Sequence, residues 1–190
     1  MNKWKIIFVL LVVSATAYLA IKSMVDGARM VDRNDGYQPS QPIAFCHKVH
    51  AGDNEVPCLY CHYGAERSRH AGIPAASVCM NCHSLIKRDS PEIKKIIQAI
   101  ETKASVEWVK VHRLADFVYF NHQQHVVAGK IPCQTCHGAV EKMGRVSQVS
   151  PLTMGWCIDC HRKSDVVIHG TLQTKKVSEV GGLDCAKCHY

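Results

Sequence analysis

Ten of the eleven cysteines in this chain of 190 residues fall into five copies of one pattern, two cysteines separated by two residues and followed at once by histidine. The copies are Cys58, Cys61 and His62; Cys79, Cys82 and His83; Cys133, Cys136 and His137; Cys157, Cys160 and His161; and Cys185, Cys188 and His189. Two thiols at that gap reach the two vinyl groups on one edge of a haem and form thioethers, and the next side chain then falls under the iron as its proximal ligand. A redox dithiol has the same gap but no need of the histidine. Zinc knuckles take such motifs in pairs, which five copies cannot supply evenly. The spacing therefore predicts five covalently bound haems c, held by the ten cysteines, with the five motif histidines as proximal ligands.

An iron held on one side needs a sixth ligand if it is to stay low-spin and exchange electrons with little change of geometry. Seven histidines lie outside the motifs: His47, His50, His70, His112, His122, His125 and His169, with Met143 and Met154 behind them. His47 with His50 and His122 with His125 are pairs three residues apart, so each pair projects two imidazoles from one face of a helical turn toward two neighbouring irons. These four are expected as distal ligands. Met154, His112 and His70 are candidates for the fifth position, the two histidines having hydrogen bonds to haem propionates as their alternative. His169 sits in a polar stretch and reads as solvated, and Cys46 reads as a small buried side chain without redox chemistry.

The elements that must position these groups come as a duplication. Phe45, His47, His50, Pro57, Cys58, Cys61, His62 and Glu66 recur 75 positions later as Phe120, His122, His125, Pro132, Cys133, Cys136, His137 and Glu141. Each unit ends in a second CxxCH, and the second unit is three residues longer before it. Residues 43–190 therefore read as one pentahaem domain: a first repeat at about 43–90, a helical connector at 91–117, a second repeat at about 118–165 and a tail at 166–190 carrying the unpaired fifth motif. The predicted fold class is mostly α and irregular, with short helices and loops around the haems.

In the connector, Pro91 to Lys103 is expected as a helix, with Ser90 as N-cap, Pro91 in the first turn, Glu92 at the positive end and Ile93, Ile96, Ile97 and Ile100 as one apolar stripe. That stripe is expected to pack on a haem edge or a partner. Aromatic residues make up 7% of the chain, in keeping with porphyrins supplying the flat apolar surface.

At the other end, Ile6 to Ile21 runs without a charge between Lys5 and Lys22. A cleaved signal peptide and a retained span both fit. Residues 1–24 are read as a retained single-pass transmembrane anchor, followed by an extended linker over 25–42 rich in Gly and Pro. No cysteine closely follows the apolar run, which excludes an acylated-cysteine tether. Flanking charge does not orient the span, but haem is attached to CxxCH outside the cytoplasmic membrane, so the haem domain is expected on that side. The formal charge of +7 does not point to nucleic acid, because haem propionates would offset it.

The runs Gly36 to Phe45, His47 to Gly52, Glu66 to Pro74, Cys79 to His83, Glu107 to His112, Asp116 to His122 and Met154 to Arg162 closely resemble the pentahaem cytochrome subunit of alternative complex III. The repeat itself also resembles the broader class III multihaem cytochromes. Cys46 departs from the expected Ser, and Lys163 to Leu183 match weakly. The resemblance implies a multi-subunit quinol-oxidising complex with integral-membrane and iron-sulfur subunits. In it, iron-sulfur centres pass electrons to this chain and a monohaem cytochrome c, a soluble carrier or an oxidase receives them. No catalytic site is expected in the chain itself. Two alternatives are a tethered multihaem quinol dehydrogenase feeding a periplasmic reductase and a nitrite-type reductase with an open iron. The supply of spare histidines and the lack of a CxxCK motif argue against the second.

Overall fold

A computed structural model of the chain describes residues 2–30, 33–167 and 173–189. His169 and part of the tail lie outside these. The chain divides into two compact units, residues 1–33 and 34–190.

The first unit is one helix, α1 (Lys3–Met30). Its stretch Lys3–Ala28 is long and apolar enough to cross a membrane, and Trp4, Phe8, Leu10, Leu11, Tyr18 and Leu19 are exposed along it. A retained anchor and a signal sequence share that description. The extended linker expected from residue 25 onward starts later than predicted. Lys22 pairs with Asp26 at 3.5 Å, one helical turn on, and a lone Gly27 costs only about 1 kcal/mol inside a helix, so the turn containing it does not break.

The linker reading is also revised over residues 34–42, which are strapped to the second unit by amides. Asn34 Nδ2 donates to the Val111 carbonyl at 3.1 Å, and Gln38 Nε2 donates to that of Arg145 at 2.8 Å. The Gln41 side chain both donates to the Val109 carbonyl and accepts from its N–H, each at 2.9 Å. At the centre lies Gln148, 1% exposed. Its N–H donates to the Tyr37 carbonyl at 3.0 Å and its carbonyl accepts from Gly36 at 2.7 Å. Its side chain accepts from the Arg113 N–H at 2.8 Å and donates to the Ser150 carbonyl at 3.0 Å. Every polar group of this buried residue is satisfied, as burial demands.

The remaining elements are short. α2 (Cys58–Cys61), α3 (Ala76–His83), α5 (Gln134–His137) and α6 (Met154–Lys163) each carry part or all of a CxxCH motif. The connector forms α4 (Pro91–Glu101), with Ile93 and Ile96 buried where it packs on α3 and Ile100 exposed. Ser90 does not cap it through its side chain. Glu92, in the first turn, instead accepts from the Ala44 N–H at 2.8 Å and from Lys95 Nζ at 2.9 Å, tying the helix to the start of the first repeat. The tail adds the antiparallel pair β1 (Asp165–Val167) and β2 (Thr174–Lys176), a small sheet within the mostly α and irregular fold, closed by the Lys176–Asp165 ion pair at 2.7 Å.

Among the described residues four apolar side chains are buried: Ile43, Ala65, Ile93 and Ile96. A unit of about 150 residues that folds on its own side chains buries most of its apolar surface. Side chains therefore do not fill this interior.

Candidate functional site

In both repeats the histidine pair sits at a π turn, Lys48–Asp53 and Gln124–Ala128. The wide turn is closed by matched bonds: Asn54 N–H to the Val49 carbonyl at 3.1 Å and Gly129 N–H to that of Gln124 at 2.9 Å. Such turns often mark functional positions because they re-aim the side chains next to them. Here they aim four imidazoles at four motif histidines. His47 faces His62 with ring centroids 6.4 Å apart and planes 7° from parallel, and His122 faces His137 at 6.4 Å and 2°. His50 stands 6.1 Å from His83 and His125 stands 6.0 Å from His161.

That separation can be tested against an iron between the rings. A ring nitrogen ligates a metal at about 2 Å, which sets the metal about 3 Å from each ring centroid and two opposed rings about 6 Å apart. All four pairs fit.

The other ring nitrogens fit as well. An imidazole that ligates through Nε2 keeps its proton on Nδ1 and gives it to an acceptor, which holds the ring and its tautomer. His62 Nδ1 lies 2.7 Å from the Gly72 carbonyl, His83 Nδ1 2.8 Å from that of Ile86 and His189 Nδ1 3.2 Å from that of Phe117. His161 Nδ1 is held by the Gly182 carbonyl. On the distal side, His50 Nδ1 bonds the Cys46 carbonyl at 2.9 Å, His125 Nδ1 that of Asn121 at 2.8 Å and His122 Nδ1 that of Arg69 at 2.9 Å. His47 Nδ1 is buried without a partner among the described residues. Burial, with His62 and His50 nearby, lowers the His47 pKa to about 4; burial, then His112, His122 and His62, does the same to His137. At neutral pH both rings are therefore uncharged, the form a metal requires.

Two features of the site escaped the sequence reading although the duplication contained them. Phe45 stacks on His50 at 4.3 Å and meets His47 edge-on at 4.8 Å; Phe120 does the same to His125 at 4.3 Å and His122 at 4.9 Å. The aromatic two residues ahead of the first histidine thus braces both rings. Cys46, expected as a buried side chain, is half-buried and acts through its carbonyl; its counterpart Asn121 does the same.

The repeats join by a reciprocal contact. Lys48 N–H donates to the Met143 carbonyl at 2.9 Å, and the matched Gln123 N–H donates to the matched Ser68 carbonyl at 3.2 Å. Equivalent groups meeting on both sides of a junction are what a local two-fold axis produces. Cys58 and its counterpart Cys133 meet there too: burial pushes the Cys133 thiol up, and the Cys58 thiol beside it pushes it further. The same pattern of burial first and neighbouring thiols second places Cys61 by Cys79 and Cys82, Cys136 by Cys160 and Cys157, and Cys157 by Cys188. The second motif therefore neighbours the first, the first the third, the third the fourth and the fourth the fifth.

The fifth motif is held differently. Tyr119 N–H donates to the Cys188 carbonyl at 2.9 Å, and the Phe117 ring lies 5.6 Å from His189. Among the described residues no ring contact brings a second imidazole to His189. His70 is exposed, and Met154 is 63% exposed at the start of α6. His112 is not brought to His189 either; its Nε2 lies 3.0 Å from His137 Nδ1.

These features define a multihaem c-type cytochrome. Residues 118–190 match the family described as cytochrome c7 and related cytochrome c, so the second repeat and tail are cytochrome c7-like. The chain is also similar to the multihaem cytochrome c subunit of menaquinone reductase from Nitratidesulfovibrio vulgaris (strain Hildenborough), 33% identical over 106 residues, which are 55% of this chain and 49% of that protein. The match thus spans about half the length of that relative.

Proposed function

We propose that the chain is the pentahaem electron-transfer subunit of a membrane complex that exchanges electrons between a quinone and a carrier outside the membrane. The observation that carries this reading is the set of four opposed imidazole pairs with ring centroids 6.0–6.4 Å apart. An iron held between two imidazoles has no place for a substrate, which suits outer-sphere transfer at the first four sites. When bound, each haem supplies one-electron exchange at its iron.

The residues would divide the work as follows. Cys58 and Cys61, Cys79 and Cys82, Cys133 and Cys136, Cys157 and Cys160, and Cys185 and Cys188 hold the five haems. His62, His83, His137, His161 and His189 ligate from the proximal side, and His47, His50, His122 and His125 ligate the first, second, third and fourth irons from the distal side. α1 serves as the membrane anchor, with the haem domain on the outer side.

The similarity to a menaquinone reductase subunit supports the quinone as partner. The resemblance to the pentahaem subunit of alternative complex III supports the quinol-oxidising direction, iron-sulfur and integral-membrane subunits as neighbours, and a monohaem cytochrome c or an oxidase as acceptor. The test is to purify the complex from membranes, count haems per chain by pyridine haemochrome and mass, and add quinol to the complex and to the chain alone. Five haems, with reduction in the complex and none in the isolated chain, is the expected result. Quinol oxidation by the isolated chain would make it a tethered dehydrogenase instead, and nitrite turnover at a high-spin haem would make it a reductase.

A further inference from the structure

Four of the five motif histidines give Nδ1–H to a backbone carbonyl: His62 to Gly72, His83 to Ile86, His161 to Gly182 and His189 to Phe117. His137 does not. Its Nδ1 lies 3.0 Å from His112 Nε2, with the two rings edge-on at 87° and centroids 4.3 Å apart. On its other side His137 faces His122 within 2° of parallel. If His137 binds iron through Nε2, its Nδ1 carries the proton, so His112 Nε2 must be the acceptor and His112 must hold its own proton on Nδ1.

We propose that His112 is the positioning residue of the third haem, accepting the His137 Nδ1–H bond so as to fix that ring and make His137 a more basic ligand than the other four. An imidazole nitrogen accepts more strongly than an amide oxygen. A stronger acceptor behind a ligating histidine draws its proton away and pushes electron density onto the metal, an effect that hydrogen-bond partners of metal-ligating histidines exert generally. Greater ligand basicity favours the ferric state. The third iron should therefore sit at a lower potential than its repeat-related counterpart, the first iron, whose His62 has only the Gly72 carbonyl. Cys58 and Cys133 lie side by side, so these two sites are neighbours; they differ at His112 and also on the distal side, where His122 Nδ1 has the Arg69 carbonyl and His47 Nδ1 has no partner among the described residues.

This rests on the haem reading above, and the experiment separates the two failures. His112→Leu removes the acceptor, and His112→Gln keeps a weaker one at about the position of Nε2. Haem count in the unmutated protein tests the haem reading by itself. In the variants, potentiometric titration and EPR of the purified complex test His112. The expected result is one midpoint shifted upward in His112→Leu, a smaller upward shift of the same midpoint in His112→Gln, and an unchanged number of low-spin signals. If His112→Leu does not assemble, the His112→Gln midpoint decides alone. Midpoints that stay put would overturn the proposal. So would conversion of one low-spin haem to high-spin, which would make His112 an iron ligand.

Discussion

The imidazoles of His47 and His62 stand 7° from parallel with centroids 6.4 Å apart, although fourteen residues and a turn separate them in the chain. Removing His47 should open one side of the first iron and leave both thioethers in place. In His47→Ala, EPR of the oxidised protein should lose one low-spin signal and gain one high-spin signal while haem content stays constant. His50→Ala should do the same to the second iron. The low-spin count would be unaltered if either ring were only packing.

Phe45 and Phe120 touch both histidines of their pairs, so they should matter to stability and little to ligation. Contacts between aromatic rings contribute about 0.5–1.5 kcal/mol beyond area burial, and Phe45→Leu or Phe120→Leu should cost about 1–2 kcal/mol. Thermal unfolding should show this as a lower Tm, with the low-spin spectrum retained.

Gln148 is the buried knot under residues 34–42. In Gln148→Leu the Arg113 N–H loses this hydrogen bond, worth about 1 kcal/mol, and the buried Ser150 carbonyl loses its donor, which costs about 1–3 kcal/mol. A loss of about 2–4 kcal/mol is expected, together with faster amide exchange at Arg113. Exchange at Gly36 should also speed up, because its bond to the Gln148 carbonyl depends on that segment staying in place.

Gly52 lies where the repeats meet, and a Cβ there would press into the Glu141 carbonyl oxygen well inside contact distance. Gly52→Ala should therefore strain the junction by about 1–3 kcal/mol, the usual range for overpacking. Gly144→Ala, where a Cβ would meet nothing within 4 Å, is the control and should leave the unfolding midpoint in place.

The local rules were legible to different degrees. Pro91 and the isoleucine stripe correctly marked α4, whose bounds depend on residues within a few turns. The end of α1 was misplaced because Gly27 and the charges around it are weak breakers once a long helix is under way. Ser90 was expected to cap α4, but the residue that ties the helix start is Glu92, through a bond to Ala44 that no local pattern announces.

What the sequence by itself determined is the inventory: five CxxCH motifs, the Phe-and-histidine turn twice at an offset of 75, and one apolar helix, all carried by residues close together in the chain. The tertiary structure alone decided which imidazole faces which, which motifs neighbour one another and that His112 Nε2 lies 3.0 Å from His137 Nδ1. The physical reason is distance along the chain. A thioether motif is chemistry within five residues, whereas the His112–His137 bond depends on how the connector folds onto the second repeat and the meeting of Cys58 with Cys133 on how the two repeats dock.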